Sequence, residues 1–201
     1  MQEAPEIKLL LARLRDGDRA AQAHVNLLLT MLRQGDEEAA HRLTLLLYHL
    51  LRPLARKYLR AYPRRATFQT TELLHEALLK IRLFEPGAKE WSDLSHLRAI
   101  AALAMQEILI DRTRKKRRRV EVPLDDSSDL SGRPEPRHDL LAMAVSRLRK
   151  EDELAARVFI LKFYGALTHE EAAAFLKISV ATGKRAWERA KKFLFDNLDT
   201  V

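Results

Sequence analysis

The densest chemistry in the sequence is cationic. Residues 112–119, Arg-Thr-Arg-Lys-Lys-Arg-Arg-Arg, carry seven positive side chains and no acid. The 201-residue chain has a net charge of +8, yet residues 1–111 are close to balanced, so the excess is concentrated in this octet. Such a run cannot be core. It faces either water, as a solvated helix end, or a polyanion, because clustered Lys and Arg release counterions from nucleic acid. A second cationic set lies near the C-terminus, where Thr182, Arg185, Arg189 and Lys192 recur at helical spacing and Lys184 flanks them. On a helix these form one stripe, which is either a solvated face or a surface that reaches phosphates and base edges.

Other chemistries are poorly supplied. His75-Glu76 and His169-Glu170 each begin like a zinc-protease helix, but Leu79 and Ala173 stand where the second His is required. The seven His residues are scattered without metal-ligand spacing, so neither a metal nor another cofactor is expected. The six Gly residues are isolated, which leaves no phosphate-cradling loop. Paired carboxylates such as Asp125-Asp126 fall in a polar stretch where no pocket would raise a pKa. With no Cys there is no thiolate nucleophile and no disulfide framework. The sequence does not read as an enzyme. Its longest apolar stretch, Leu43 to Leu51, is interrupted and too short to span a bilayer, so no membrane partner is expected. Glu3 and Glu6 sit where a signal peptide needs positive charge, and a cytoplasmic location is expected.

The elements that must position these charges are helical. Leu (36) and Ala (27) make up nearly a third of the chain, and both lose little entropy in a helix. Leu9 to Asp18 is repeated, eighteen residues on, by Leu27 to Asp36. In each copy a Gly suits the left-handed end of one helix and the following Asp caps the next. Leu43, Leu47, Leu50, Leu54 and Tyr58 then mark an amphipathic helix that Pro53 should kink or divide. Thr70 or Thr71 caps a helix faced by Leu74, Ala77, Leu78 and Ile81 and ended by Pro86-Gly87. Ser92 or Asp93 opens another whose face, Leu97, Ile100, Ala101, Ala104 and Ile108, runs into the octet.

Val120 to Arg137 is rich in Pro, Ser and acid and reads as a flexible linker. Beyond it, Leu140 to Lys150 and Glu151 to Phe163 predict two helices. Thr168 and Glu171 have capping-box spacing for a short helix ending near Leu176. Lys177-Ile178-Ser179 is a turn, and Ser179 caps a final helix to about Phe195. Two short helices around a tight turn, the second basic, make a helix-turn-helix. The expected fold is all-α: an N-terminal extension (1–24), a first helical domain (25–118), a linker (119–137) and a helix-turn-helix domain (138–201).

Together these motifs resemble a known family. Thr67 to Ile81 and Ile108 to Arg117 are similar to conserved region 2 of bacterial extracytoplasmic-function (ECF) sigma factors, and Arg157 to Trp187 is similar to their region 4. The resemblance covers about residues 27–198 and leaves the extension outside. It implies a dissociable subunit that binds core RNA polymerase and directs it to double-stranded promoter DNA, and it allows an anti-sigma factor as a further partner. Glu72, His75, Glu76 and Leu79 would dock on polymerase. Arg98, Arg112, Arg114, Lys115, Lys116 and Arg117 would meet the minus-ten element. Ser179, Thr182, Lys184, Arg185, Arg189 and Lys192 would enter the major groove at the minus-thirty-five element.

Some residues depart from the family pattern. Leu97 and Arg98 stand where the strand-opening segment is usually aromatic, since unpaired bases need a stacking partner. Gln106-Glu107 replace common basic residues, and Glu107 would repel phosphate. Lys177 occupies a turn position that is usually Gly, at a cost of about 1 kcal/mol if left-handed. Gly183 replaces an apolar residue of the recognition helix. These departures define the alternative function: a sigma-like regulator that binds DNA and polymerase without melting the promoter.

Overall fold

The computed structural model describes residues 5–60, 69–81, 93–120 and 136–198; side chains are described for these except Pro5, Arg15, 113–120 and 136–140. Every regular element among the described residues is helical, as expected: α1 (Pro5–Arg15), α2 (Arg19–Arg33), α3 (Glu37–Arg60), α4 (Thr70–Lys80), α5 (Leu94–Val120), α6 (Pro136–Glu151), α7 (Glu153–Phe159), a π-helical turn (Ile160–Tyr164), α8 (His169–Leu176) and α9 (Val180–Leu198).

The local punctuation follows the sequence closely at the N-terminus. Gly17 (φ 74°) and Gly35 (φ 86°) take the left-handed conformation that ends α1 and α2. Asp18 and Asp36 then accept the first free N–H groups of α2 and α3, from Ala20 at 2.8 Å and Ala39 at 2.9 Å. Through these joints α1 packs on both α2 and α3. α2 is a single helix across residue 24, where the sequence reading ends the extension.

Pro53 does not divide α3. The helix runs unbroken to Arg60 because Leu51 before the proline and Leu54, Ala55 and Tyr58 beyond it are all buried, and their packing outweighs one lost hydrogen bond. α4 starts earlier than either threonine cap would give: Glu72 Oε2 accepts the Gln69 N–H at 2.9 Å, which makes Gln69 the cap. It ends at Lys80, with Ile81 as its C-cap, short of Pro86-Gly87, which lie outside the described residues. Asp93 opens α5 by accepting the His96 N–H at 2.8 Å, while Asn26 of α2 accepts that of Leu94 at 3.0 Å.

α5 is buried on more than one side. Leu97, Ala101, Ala104, Met105 and Ile108 join a core with α3 and α4, while Ala99 packs against Leu161, Leu167 and Ala172 of the C-terminal half. The first apolar core itself runs from Val25 on α2 to Leu194 on α9. In the C-terminal half, Asp152 separates α6 from α7 by capping α7 through the Ala155 N–H at 2.8 Å. α6, α7 and α9 pack together, and α8 lies on α9. Most of the proposed 119–137 linker lies outside the described residues.

Candidate nucleic-acid interface

The C-terminal helix pair is built by local chemistry. Thr168 Oγ1 accepts the Glu171 N–H at 3.1 Å and Glu171 Oε2 accepts the Thr168 N–H at 2.8 Å, completing the capping box that starts α8. α8 ends on Lys177 at φ 56°, ψ 43°, the left-handed conformation expected of the turn. Ser179 Oγ then accepts the Thr182 N–H at 3.1 Å and lies 2.8 Å from the Thr182 hydroxyl, which opens α9.

The register of α9 follows from its small residues. Gly183, Ala186, Ala190 and Leu194 are buried, so the neighbouring stripe of Arg185, Arg189 and Lys192 is exposed, with Lys184 beside it and Thr182 half-buried at its start. A Cβ on Gly183 would lie 3.7 Å from Ala173 Cβ and 3.9 Å from Ile178 Cδ1, so the α8–α9 contact is close without being crowded. Trp187 instead stacks on Phe159 with ring centroids 5.7 Å apart, flanked by the ammonium groups of Lys162 and Lys191. The sequence reading thus places the minus-thirty-five set, Ser179 to Lys192, on one outward surface. Besides the Ser179–Thr182 pair, Arg189 is engaged: its Nε donates to Asp152 Oδ2 at 2.7 Å, and this bond holds the Asp152 carboxyl below its ordinary pKa despite some burial.

The minus-ten set is not brought together. Arg98 and Arg112 are separated by about 21 Å of helix rise. Arg98 turns toward the C-terminal half, where its guanidinium donates to the carbonyls of Gly165 at 2.9 Å and Ala166 at 3.3 Å. Burial draws its pKa below the ordinary value, and Glu171 opposes that effect. Arg112 pairs with Glu76 of α4. The side chains of Arg114, Lys115, Lys116 and Arg117 lie outside the described residues; their backbone continues α5 as a helix. Glu107 points at Lys80 of α4, 3.0 Å away, and Gln106 is buried.

α4 carries the third set. Leu73, Leu74 and Ala77 are buried, which turns Glu72, His75 and Leu79 outward, with Glu76 half-buried among them. Leu79 is 75% exposed, more than any other large apolar side chain described. Several contacts have no sequence signal. Tyr58 stacks on Tyr164 with centroids 3.9 Å apart, Lys57 donates to the Phe163 carbonyl, and Ser95 donates to Glu171. Each joins residues more than seventy positions apart, beyond the reach of any periodicity. Among the described residues, no group of three or more His, Asp or Glu is placed to hold a metal ion, and no helix is long and apolar enough to cross a membrane.

A capped helix pair with a left-handed turn, whose second helix shows an exposed basic stripe, is a helix-turn-helix arrangement. The family follows from the comparisons: the family model for the ECF sigma factor matches residues 22–200, and the chain belongs to that family of transcription-initiation factors. The comparison with curated proteins returns no match.

Proposed function

We propose that the protein binds core RNA polymerase and directs it to promoter DNA as a dissociable initiation subunit with no catalytic site of its own. The observation that carries this reading is the α9 stripe, exposed on the second helix of a capped helix-turn-helix. Arg185 and Arg189 would read the minus-thirty-five element in the major groove, with Ser179, Thr182, Lys184 and Lys192 on bases or phosphates. The octet at the end of α5 would supply sequence-independent attraction near the minus-ten element. Glu72, His75, Glu76 and Leu79 would form the polymerase-docking face of α4, and an anti-sigma factor would compete for these surfaces. Purified protein mixed with core polymerase is expected to give run-off transcription from a specific promoter. A product no greater than with core enzyme alone refutes the proposal.

One observation favours a second reading, a regulator that binds without melting. Leu97 is fully buried, and Arg98 faces the C-terminal half, so neither offers a stacking surface to an unpaired base. Permanganate footprinting separates the readings, because a true initiator leaves reactive thymines around the minus-ten element.

A further inference from the structure

We infer that the outward face of α3 is a further nucleic-acid contact, on which Arg52, Arg56 and Arg60 hold the phosphates of duplex DNA outside the two promoter elements. The inference goes beyond the promoter-directing function proposed above, because neither the α9 stripe nor the octet takes part in it.

Spacing builds this face. Leu43, Leu47, Leu51, Leu54 and Tyr58 turn one side of α3 into the core. His49, Arg52, Arg56 and Arg60 follow one another at three or four positions and share the opposite side. Arg56 and Arg60 are exposed, while His49 and Arg52 are half-buried. After Glu38 the helix contains no acid, and Glu38 itself is taken by Arg42 at 2.6 Å. Elsewhere in the N-terminal half, basic side chains are matched to carboxylates: Arg13 to Asp18, Lys80 to Glu107 and Arg112 to Glu76. Arg52, Arg56 and Arg60 have no carboxylate partner among the described residues. Like charges four positions apart repel on a helix, and a polyanion laid along them removes that repulsion.

Arg52 is preset for the contact. Its guanidinium lies over the Tyr48 ring, 5.6 Å from the centroid, and His49 braces that ring edge-on at 5.7 Å. The Arg52 Nε is buried with no hydrogen-bond partner among the described residues, so the aromatic face orients the group. A guanidinium held in this way loses less freedom on binding and keeps its outer nitrogens for phosphate oxygens.

The observations favour duplex DNA over other anionic partners. Arg52 to Arg60 spans about 12 Å of helix, roughly the axial rise of three to four phosphates on one strand. None of the large exposed apolar side chains among the described residues lies on α3, so a protein partner would find no anchor there. The Tyr48 ring is already occupied by Arg52 and His49, which leaves an unpaired base little to stack on. Tyr58, on the far side of α3, donates to the Ala102 carbonyl of α5 at 2.6 Å. The arginine face therefore points away from α5 and meets a different stretch of DNA.

Fluorescence anisotropy of the full-length chain on a labelled duplex of random sequence, titrated with salt, tests the contact. Arg56→Gln with Arg60→Gln removes two phosphate contacts and is expected to lower the slope of log affinity against log salt by about 1.8. The charge-retaining pair R56K/R60K is expected to hold the wild-type slope. On α6, R147Q/R149Q removes the same charge from exposed arginines that do not share a face, and the slope should not change. Gln and Lys are good helix formers, so circular dichroism should stay native in all three variants. A wild-type slope in R56Q/R60Q overturns the contact. So does an equal loss in R147Q/R149Q, which reduces the effect to net charge, or an equal loss in R56K/R60K. If R56Q/R60Q loses retention of core polymerase with its duplex slope intact, or loses slope only on a single strand of the same length, the face serves another partner and the duplex assignment fails. Wild-type protein without salt-dependent duplex binding brings down the promoter-directing proposal too. A slope that falls in R185Q/R189Q but not in R56Q/R60Q removes the α3 contact alone.

Discussion

Arg189 and Asp152 form a bridge between α9 and the start of α7, with Nε 2.7 Å from Oδ2. The acid has two jobs, because its other oxygen caps α7 through the Ala155 N–H at 2.8 Å. A side chain proposed to read bases is thus parked on a helix cap.

Asp152→Asn separates the two jobs. Asn caps as well as Asp, and the exposed ion pair contributes little, so unfolding free energy in urea is expected to change by less than about 1 kcal/mol. Release of Arg189 should steepen the slope of log affinity against log salt for duplex binding by about 0.9. A slope equal to wild type would show that Arg189 leaves Asp152 on DNA regardless, or never reaches phosphate.

The two buried glycines of the C-terminal half should respond oppositely to Ala. At Gly183 the new methyl meets only ordinary contacts, and helix propensity favours the variant by about 1 kcal/mol, or roughly 2–4 °C in Tm. At Gly165 a Cβ would lie 2.6 Å from the Leu161 carbonyl oxygen and 2.9 Å from Leu167 Cδ1. Gly165→Ala is therefore expected to destabilise by about 1–3 kcal/mol in calorimetry or urea titration.

Lys177→Gly should stabilise the helix-turn-helix by about 1 kcal/mol, since it relieves a left-handed side-chain residue at φ 56°. Thermal melts of the full chain test this directly.

His169 should make the fold acid-sensitive in a defined window. Its Nδ1 is buried without a hydrogen-bond partner, and burial, followed by Lys162 and Lys184, lowers its pKa below the ordinary 6.5. The unfolded chain therefore takes up the proton first, and stability falls as pH drops from 6.5 toward the lower folded value. Asp152 is also depressed, but from 3.8, so its contribution is lost only at more acid pH. His169→Gln should flatten the wild-type loss of urea stability as pH falls below 6.5. Parallel curves for the two proteins would exclude this role.

Leu79→Gln tests the α4 face without disturbing the fold. The side chain is 75% exposed and both residues are good helix formers, so stability should stay within about 0.5 kcal/mol of wild type. Retention of core polymerase in a pull-down is expected to fall by about tenfold, as for an apolar anchor at an interface.

Caps and turns were legible in the sequence because each is decided within four residues. Asp18, Asp36, Thr168 with Glu171, the left-handed Lys177 and Ser179 all act where their spacing puts them. Gln69 was missed because its cap is supplied by a carboxylate reaching back, with two better capping residues just ahead of it. Of the kink or break expected at Pro53, the break does not occur, because its neighbours' burial is a tertiary fact. The α9 stripe could be read from periodicity alone. The scattered minus-ten set could not, because the partners of Arg98 and Arg112 are 67 and 36 residues away. Glu107, which looked repulsive to phosphate, is turned aside by Lys80, a pairing that only the packing of α4 on α5 creates.

The carboxylate of Glu171 gives one oxygen to the first turn of α8 and the other to Ser95, across the chain. A genetic screen would feel this as shared liability. Damage to residues near Ser95 should be rescued by second-site changes around Thr168, so suppressor maps of the two halves would interleave rather than segregate.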